Sequence, residues 1–256
     1  MRIKFIGTGS GKSSLQRYHS SFLISSGRFN ILVDAGDGIS RALLKQNISY
    51  NSIDGILLTH LHADHFAGLP GLLAQMKMSK RELPLSIIMH QSLSSAIRNF
   101  IYQSYIFPAK LNFEIHFAEF NYNEYLQLHE DFGFIARQNH HLDDNFSYAE
   151  EKNVNVSSSS FLFKLSDKYL FYTSDVGDKE DLYLFNDYSI NVVISEITHV
   201  RFEEIFRAIK DLQPDRLFFT HISEENEPDL IKLYNNLPED LRSKIIPAVD
   251  GMLFEI

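Results

Sequence analysis

Residues 60 to 65, His-Leu-His-Ala-Asp-His, place three of the chain's eleven histidines and one aspartate in a six-residue segment. Neutral imidazole and carboxylate are ligands that zinc, iron and manganese accept, and no rule of packing requires four such groups together. The segment follows an apolar, strand-like stretch at 55–58 and precedes a helix-like stretch, Phe66 to Met78. It therefore occupies a turn at the C-terminal end of a strand, where α/β proteins place their sites, and it predicts a metal site.

The composition restricts the ligands and partners of such a site. The chain has no cysteine, so a metal must be held by histidine and carboxylate. The formal net charge is −9, and no basic run is longer than Lys80-Arg81. Because proteins that bind nucleic acid through its phosphates usually present a basic face, an extended nucleic acid is not expected as a partner.

The chain shows no membrane or export signal. No stretch approaches the roughly 20 apolar residues of a transmembrane helix. The apolar patch at the N-terminus is too short for the core of a signal peptide. We therefore expect a cytoplasmic protein without a membrane partner.

Apolar, β-rich segments recur along the whole chain, and helical patterns separate several of them. The clearest helix is an apolar stripe between Phe202 and Leu212. Early segments run from strand to strand and later ones alternate strand with helix, which predicts an α/β fold with mixed sheets. No linker divides the sequence, so residues 1–256 are expected to form one domain. The segment Asn153–Ser160, which ends in the serine run Ser157–Ser160, is interpreted as the tail of a mobile surface loop.

The glycine-rich segment from Gly7 to Ser13 is similar at first sight to a phosphate-binding P-loop. That motif requires four residues between its first glycine and the Gly-Lys pair, and here only three separate Gly7 from Gly11. No apolar helix opens at Ser13. We therefore expect a simple glycine turn that leaves the first strand.

The spacing within the histidine cluster suggests two metal positions. Alternate residues of an extended turn face the same side, so His60 and His62 can converge on one metal. Asp64 and His65 begin the next helix and face a second point nearby. Two such positions in one loop suggest a dinuclear centre, whose metals need further ligands.

Further ligand-type side chains end three other strand-like segments. Asp175 follows the stretch 169–174, His221 follows 217–220, and the pair His140 and His141 follows 134–139. Taken alone, the aspartate could form a turn or cap a helix, and a lone histidine at a strand end could be structural. Together they offer the ligands that the cluster lacks.

These motifs resemble the metallo-β-lactamase superfamily and, within it, the ribonuclease Z group of phosphodiesterases. Residues 59–65 match its HxHxDH signature, 173–175 its bridging-aspartate motif and 220–223 its final histidine motif, while 31–38 resemble the strand and turn that precede the signature. The stretches 5–9 and 66–73 are similar to ribonuclease Z in particular, so the likeness extends from residue 3 to about 223. The resemblance implies a metallo-β-lactamase-type αβ/βα four-layer sandwich with two mixed β-sheets.

The same resemblance implies a ligand set for two divalent metal ions. Zinc is the first choice, and manganese or iron are alternatives. By motif, one metal is held by His60, His62 and a histidine near 140, the other by Asp64, His65 and His221, and Asp175 bridges them. His141 fits the middle position better than His140 because Leu142 follows it. Asp34 is expected to support the site by hydrogen bonding, although a simple turn-forming role is equally open.

The resemblance also implies a hydrolytic mechanism. A hydroxide shared by the two metals would attack a phosphodiester, and Asp64 is expected to serve the reaction as well as the metal. Glu196 and His199 look like the family's leaving-group motifs, which are farther apart in sequence in that family. Our hypothesis is that His199 donates the proton and Glu196 orients it. The alternative is a helix cap with a structurally satisfied histidine.

The expected substrate is small. Ribonuclease Z carries a long basic arm for tRNA, usually between the middle histidine and the bridging aspartate, but the interval Leu142–Ser174 has no room for it and its loop 143–151 is acidic. We therefore expect a phosphodiesterase for nucleotides or cyclic nucleotides. A lactonase or thioesterase is the alternative, and a tRNA 3′-processing endonuclease or a non-catalytic metal-binding protein is less favoured. The resemblance favours a homodimer, with the aromatic stretch 100–107 as a contact or a cap on the site. The remaining histidines are expected to be surface or core residues: His19, His90, His116 and His129.

Overall fold

The protein is described by a computed structural model over residues 1–130 and 132–256, without the side chain of residue 240. Two seven-stranded β-sheets face each other, and helices cover their outer surfaces. The strands are, in chain order, β1 (Arg2–Gly7), β2 (Ser21–Ser26), β3 (Phe29–Val33), β4 (Gly55–Leu57), β5 (Leu85–His90), β6 (Ile115–Phe120), β7 (Tyr125–His129), β8 (Phe132–Gln138), β9 (Ser159–Leu165), β10 (Lys168–Tyr172), β11 (Val192–Glu196), β12 (Arg216–Thr220), β13 (Ile245–Pro247) and β14 (Leu253–Glu255). The α-helices are α1 (Ile39–Lys45), α2 (Ala63–Phe66), α3 (Leu69–Met78), α4 (Ser94–Gln103), α5 (Phe146–Glu151), α6 (Phe202–Leu212), α7 (Glu227–Asn235) and α8 (Glu239–Arg242).

Both sheets are mixed. The first has the order β14-β1-β2-β3-β4-β5-β6, and the second has the order β13-β12-β11-β10-β9-β8-β7. Neighbours are parallel from β3 to β6 and from β10 to β13, and antiparallel elsewhere. The parallel strands of each sheet end at a common edge, where the loops that carry the candidate ligands begin. The predicted α/β class with two mixed sheets is confirmed.

The alternation of side chains along the strands builds the four layers. In β3, Ile31 and Val33 pack between the sheets, while Leu32 packs against the helices outside. In β9, Phe161 and Phe163 face the space between the sheets, and Leu162 faces the outer helices. Because both faces of such strands are buried, they appear in the sequence as nearly continuous apolar runs.

One predicted helix has the bounds expected from the sequence, and another is divided into two helices. The helix from Phe202 to Leu212 is observed with those bounds. The helix predicted from Phe66 to Met78 begins only at Leu69, after the separate short helix α2. The break lies at Gly68, where a Cβ atom would stand 2.1 Å from the carbonyl oxygen of Gly36. Close backbone contact at that point separates the two helices.

The interpretation of Asn153–Ser160 as the tail of a surface loop agrees with residues 153–155, which are exposed and outside the helices and strands, but it is wrong for the serine run. All four serines are buried, and Ser159 and Ser160 already belong to β9. The hydroxyl of Ser160 donates to the carbonyl oxygen of Thr173 at 2.6 Å. The hydroxyls of Ser157 and Ser159 are hydrogen-bonded to the hydroxyl of Tyr122, so three of the four buried serines have a side-chain hydrogen bond.

Among the described residues, no helix combines the length and apolar character needed to cross a membrane.

Candidate metal centre

Turns at the strand ends direct the candidate side chains toward one another. Asp34 directly follows β3 and His221 directly follows β12, and both have a left-handed backbone conformation, with φ of 62° and 56°. Ser174, just before Asp175, has a φ of 56°. A left-handed residue other than glycine costs roughly 1 kcal/mol or more, so these turns are held by their surroundings.

The first ligand group consists of three histidines and one aspartate. The ligand atoms of His60, His62, His141 and Asp175 lie within 4.8 Å of one another. Nε2 of His141 is 3.1 Å from Nδ1 of His62. The rings of His60 and His141 have centroids 5.0 Å apart. These nitrogens therefore surround a common point.

The second ligand group shares Asp175 with the first and adds Asp64, His65 and His221. Asp175 Oδ2 is 3.4 Å from Nε2 of both His65 and His221. Asp64 Oδ2 is 3.2 Å from Nε2 of His221 and 3.4 Å from Nε2 of His65. The structure thus brings all seven residues of the predicted ligand set into two adjoining groups, with Asp175 between them.

His140 points away from these groups. Its Nδ1 lies 2.6 Å from Oδ1 of the buried Asp181, and its side chain is 49% exposed. The carboxylate of Asp181 also accepts the backbone N–H groups of His140, at 3.0 Å, and Gly177, at 2.8 Å. Asp181 therefore ties the loop after β8 to the loop after β10.

Asp34 and Thr59 fix the orientation of two histidines from behind. Asp34 is fully buried, and its Oδ2 accepts a hydrogen bond from Nδ1 of His65 at 2.7 Å. The Thr59 hydroxyl donates to the same carboxylate, so its oxygen is free to accept from Nδ1 of His60 at 2.9 Å. With the proton of the neutral ring on Nδ1, Nε2 of each histidine faces the cluster as the nitrogen that would bind a metal.

Thr198 performs the same task for His221. Its hydroxyl donates to the carbonyl oxygen of His221 at 2.7 Å, so its oxygen accepts from Nδ1 of that histidine at 3.0 Å. Nε2 of His221 faces Asp64 and Asp175, at 3.2 and 3.4 Å, and is the ring nitrogen that would bind a metal. The only signal of this threonine in the sequence is its position between Glu196 and His199.

The donor set fits divalent metal ions. Nε2 of His60 and Nε2 of His65 are buried and have no hydrogen-bond partner among the described residues, which is costly unless a ligand satisfies them. Burial lowers the pKa of His60 well below its usual value and lowers the pKa of His141 to about 4, so both imidazoles are neutral at pH 7. Neutral imidazole and carboxylate are the forms that bind metal.

The charge around His65 supports the same conclusion. Burial opposes protonation of this side chain, but the carboxylates of Asp175 and Asp34 outweigh burial and raise its pKa well above the usual value. The pocket therefore attracts positive charge, which a divalent ion bound at Nε2 would supply without a proton.

Glu196 and His199 form a pair beside the second group. Glu196 Oε1 lies 3.1 Å from Nδ1 of His199, and this hydrogen bond raises the pKa of the histidine. Glu196 is buried, whereas the His199 side chain is 35% exposed. The same carboxylate accepts the backbone N–H groups of Thr198 and His199, so it also holds the turn after β11. Both the acid-orienter arrangement and the turn-holding alternative therefore have a geometric basis.

A polar cavity of about 390 Å³ opens over the ligand groups, and the N-terminal glycine-rich segment forms part of its wall. Strand β1 ends at Gly7, as the predicted glycine turn requires. Beyond it, Ser10, Gly11 and Lys12 line the cavity with His199 and three members of the second ligand group, Asp64, Asp175 and His221. The sequence predicts the turn but not its position beside the site.

The remaining four histidines lie outside the groups of potential ligands found among the described residues. His90 stacks on Tyr122 with ring centroids 4.1 Å apart, and His129 stacks on Phe29 at 5.0 Å.

Comparisons with known proteins agree with this arrangement. A curated ribonuclease Z from Prochlorococcus marinus (strain AS9601) is 38% identical over 121 residues, which cover 46% of this chain and 38% of the relative. The curated relatives are thus matched over less than half of their length. The structure of human tRNase Z, short form, is 22% identical with a TM-score of 0.72 and covers 100% of this chain and 99% of that one. Zn(2+)-bound PqqB from Methylobacterium extorquens is 12% identical with a TM-score of 0.66 and complete coverage of both chains.

At these identities the two solved structures show a common fold. The family described as anti-Pycsar protein Apyc1 matches residues 1–232, which is most of the sequence. The chain therefore belongs to the Apyc1 family of anti-Pycsar proteins and is a ribonuclease Z-like member of the metallo-β-lactamase superfamily.

Proposed function

We propose that the protein is a metal-dependent phosphodiesterase for small phosphodiesters such as nucleotides or cyclic nucleotides. The observation that carries the proposal is the pair of ligand groups that share Asp175, with Glu196 and His199 beside them. Two divalent ions at such a centre supply an activated water and neutralise charge on the phosphodiester.

We assign each ligand a position. One ion is held by His60, His62 and His141, the other by Asp64, His65 and His221, and Asp175 bridges them. Zinc suits this set of imidazole and carboxylate ligands, and manganese and iron accept it as well. Asp34, Thr59 and Thr198 hold three of the imidazoles in the ligating form.

His199 is assigned as the proton donor to the leaving group. It stands at the cavity with its Nδ1 hydrogen-bonded to buried Glu196, so its Nε2 can face the substrate. Lys12 lines the same cavity and pairs with the exposed Glu225, and because an ammonium group has three N–H donors it can also donate to a phosphate oxygen.

A small substrate agrees with the surroundings of the centre. Between His141 and Asp175 the chain forms only short helical turns, a loop and the hairpin of β9 and β10, which leaves no arm for a tRNA. The net charge of −9 also disfavours an extended polyanion. Several similar proteins are named ribonuclease Z, so cleavage of RNA is the competing activity. Homodimer formation and a cytoplasmic location stay predictions.

The test combines metal analysis with a substrate panel. The purified protein would be analysed for bound metal and assayed with bis(p-nitrophenyl) phosphate, 3′,5′-cyclic nucleotides, a precursor tRNA, a lactone and a thioester. We expect bound divalent metal and turnover of the small phosphodiesters. Activity on the lactone or thioester alone would overturn the proposal, and activity confined to the precursor tRNA would overturn the substrate class.

A further inference from the structure

His62 lines two cavities. One is the polar cavity over the ligand groups, and the other is a separate apolar cavity of about 380 Å³. The apolar walls of the second cavity come from Leu61, Leu93, Leu142, Ala149 and Val154. A molecule bound at the metal centre could therefore extend past the imidazole ring of His62 into the apolar cavity.

Polar groups lie among the apolar walls. Asn145, Lys152 and Asn155 line the cavity with exposed side chains. Ser157 also lines it and is 3% exposed, and its hydroxyl is hydrogen-bonded to the hydroxyl of Tyr122. The Tyr122 ring is in turn stacked on His90, which holds this wall in place.

Two large side chains that line the cavity are exposed to solvent. Tyr148 is 72% exposed and Val154 is 54% exposed, and both line the cavity. Exposed apolar side chains around a concave surface are typical of a ligand site, because a bound ring would cover them. The volume is at the small end of the roughly 300–1,000 Å³ range of ligand cavities, so it suits one ring system rather than a polymer.

We propose that this apolar cavity holds the nucleobase of the substrate while its phosphodiester lies at the metal centre across His62. A nucleobase has flat apolar faces and a hydrogen-bonding edge, and the cavity combines aliphatic walls with amide, hydroxyl and ammonium groups. The inference rests on the proposed phosphodiesterase function and adds the part of the substrate that determines specificity.

The test compares a 3′,5′-cyclic nucleotide with its base-free analogue, methyl riboside 3′,5′-cyclic phosphate. Burial of the base should give the wild-type protein about a 10- to 100-fold higher kcat/KM for the nucleotide. Ala149→Phe fills the cavity, and Tyr148→Ala removes an exposed wall without opening a core. Each should reduce this preference, mainly through a higher KM for the nucleotide. Ala109→Phe makes the same change as Ala149→Phe at an exposed position that does not line this cavity, and it should keep the preference.

A nucleotide preference that persists in both cavity variants, with folding verified by circular dichroism, would overturn the inference. If neither cyclic phosphate is hydrolysed, the proposed function fails, and binding then decides the role of the cavity. In that case calorimetry with a nucleoside 5′-monophosphate should show binding to the wild type and weaker binding to Ala149→Phe. Equal or absent binding in both proteins would overturn the cavity assignment independently of activity.

Discussion

Two threonines determine which ring nitrogen of a neighbouring histidine faces the centre. The hydroxyl hydrogens of Thr59 and Thr198 are already donated, to Asp34 and to the carbonyl oxygen of His221. Each oxygen can therefore only accept from Nδ1–H of its histidine, so Nε2 is the nitrogen that would bind a metal. A threonine that is not itself a candidate ligand thus sets the orientation of a histidine that is.

Thr198→Val should weaken metal binding by about 10- to 100-fold, because His221 loses the acceptor that fixes its tautomer. Thr198→Ser keeps the hydroxyl and should bind metal as the wild type does. The measurement is a metal titration with a competing chromophoric chelator. Equal affinities of the valine and serine variants would contradict the assigned role.

His141→Ala and His140→Ala should differ in metal content. His141 belongs to the first ligand group, whereas His140 is directed toward Asp181. We expect His141→Ala to retain less metal in elemental analysis and His140→Ala to retain the wild-type amount. Loss of metal in His140→Ala but not in His141→Ala would instead identify His140 as the ligand.

His199→Ala should slow hydrolysis of phosphodiesters with poor leaving groups by roughly 10²- to 10⁴-fold, the usual contribution of a general acid. Substrates that release p-nitrophenolate need little protonation and should be affected much less. The measurement is kcat of the wild type and of the variant for both substrate types, at equal metal content. A uniform loss would indicate that the pair only holds the turn after β11.

At the scale of residues, the sequence predicted which side chains the fold brings together, because a metal requires particular side chains at particular spacings. The choice of His141 could be favoured from Leu142, but only the contact between His140 and Asp181 explains why the neighbour is excluded. Thr198 could not be predicted, because a threonine becomes an acceptor for histidine only when the fold places them together. The burial of Ser157–Ser160 could not be predicted for the same reason, since their hydrogen-bond partners are distant in sequence.

At the scale of elements, the loops after β8 and β10 behave as one unit. Asp181 binds the backbone of His140 and of Gly177, and a Cβ atom on Gly177 would lie 2.3 Å from the carbonyl carbon and oxygen of His140. These loops carry His141 and Asp175. Their close contact therefore sets the distance between a ligand of the first group and the shared aspartate.

Gly177→Ala should force the two loops apart, lower the free energy of unfolding by about 1–3 kcal/mol and weaken metal binding. Gly71→Ala is the matched control, since residue 71 lies in α3 and a Cβ there meets nothing within 4 Å. The control should raise stability by about 0.5–1 kcal/mol. Denaturant unfolding and metal titration test both changes, and an unaltered Gly177→Ala protein would contradict the argument.

Continuous apolar runs in the sequence mark the strands that are buried on both faces. β3, β9 and β12 are buried on both faces and show continuous apolar runs. β6 and β7 are edge strands in which exposed polar residues interrupt the apolar ones, and β13 has only three residues, so none of them shows a long continuous apolar run. Pairing with a neighbour, rather than local pattern, makes these segments strands.

At the scale of the whole molecule, the centre joins the two sheets. The loop after β4 belongs to the first sheet and carries His60, His62, Asp64 and His65. His141, Asp175 and His221 follow strands of the second sheet. Bound metal would therefore link the sheets at this edge in addition to the apolar core between them.

Removal of metal should lower the thermal unfolding midpoint. Saturation at 100 to 1,000 times Kd stabilises by about 2.7–4.1 kcal/mol, which corresponds to roughly 5–16 °C for a chain of this size. Differential scanning calorimetry with and without a chelator measures the shift. Chelator saturated with calcium is the control, and re-addition of zinc should restore the midpoint. An unchanged midpoint in the stripped protein would contradict a link between the sheets.

The second ligand group draws its residues from distant parts of the chain, and this affects the point in synthesis at which the group can form. Asp64 and His221 are 157 residues apart in the chain, yet their side chains meet at the centre. The second ligand group therefore cannot form until synthesis of the chain has passed His221. Binding of an ion at this group would have to follow that step, and a chain terminated before β12 would lack His221 however well the rest of it folded.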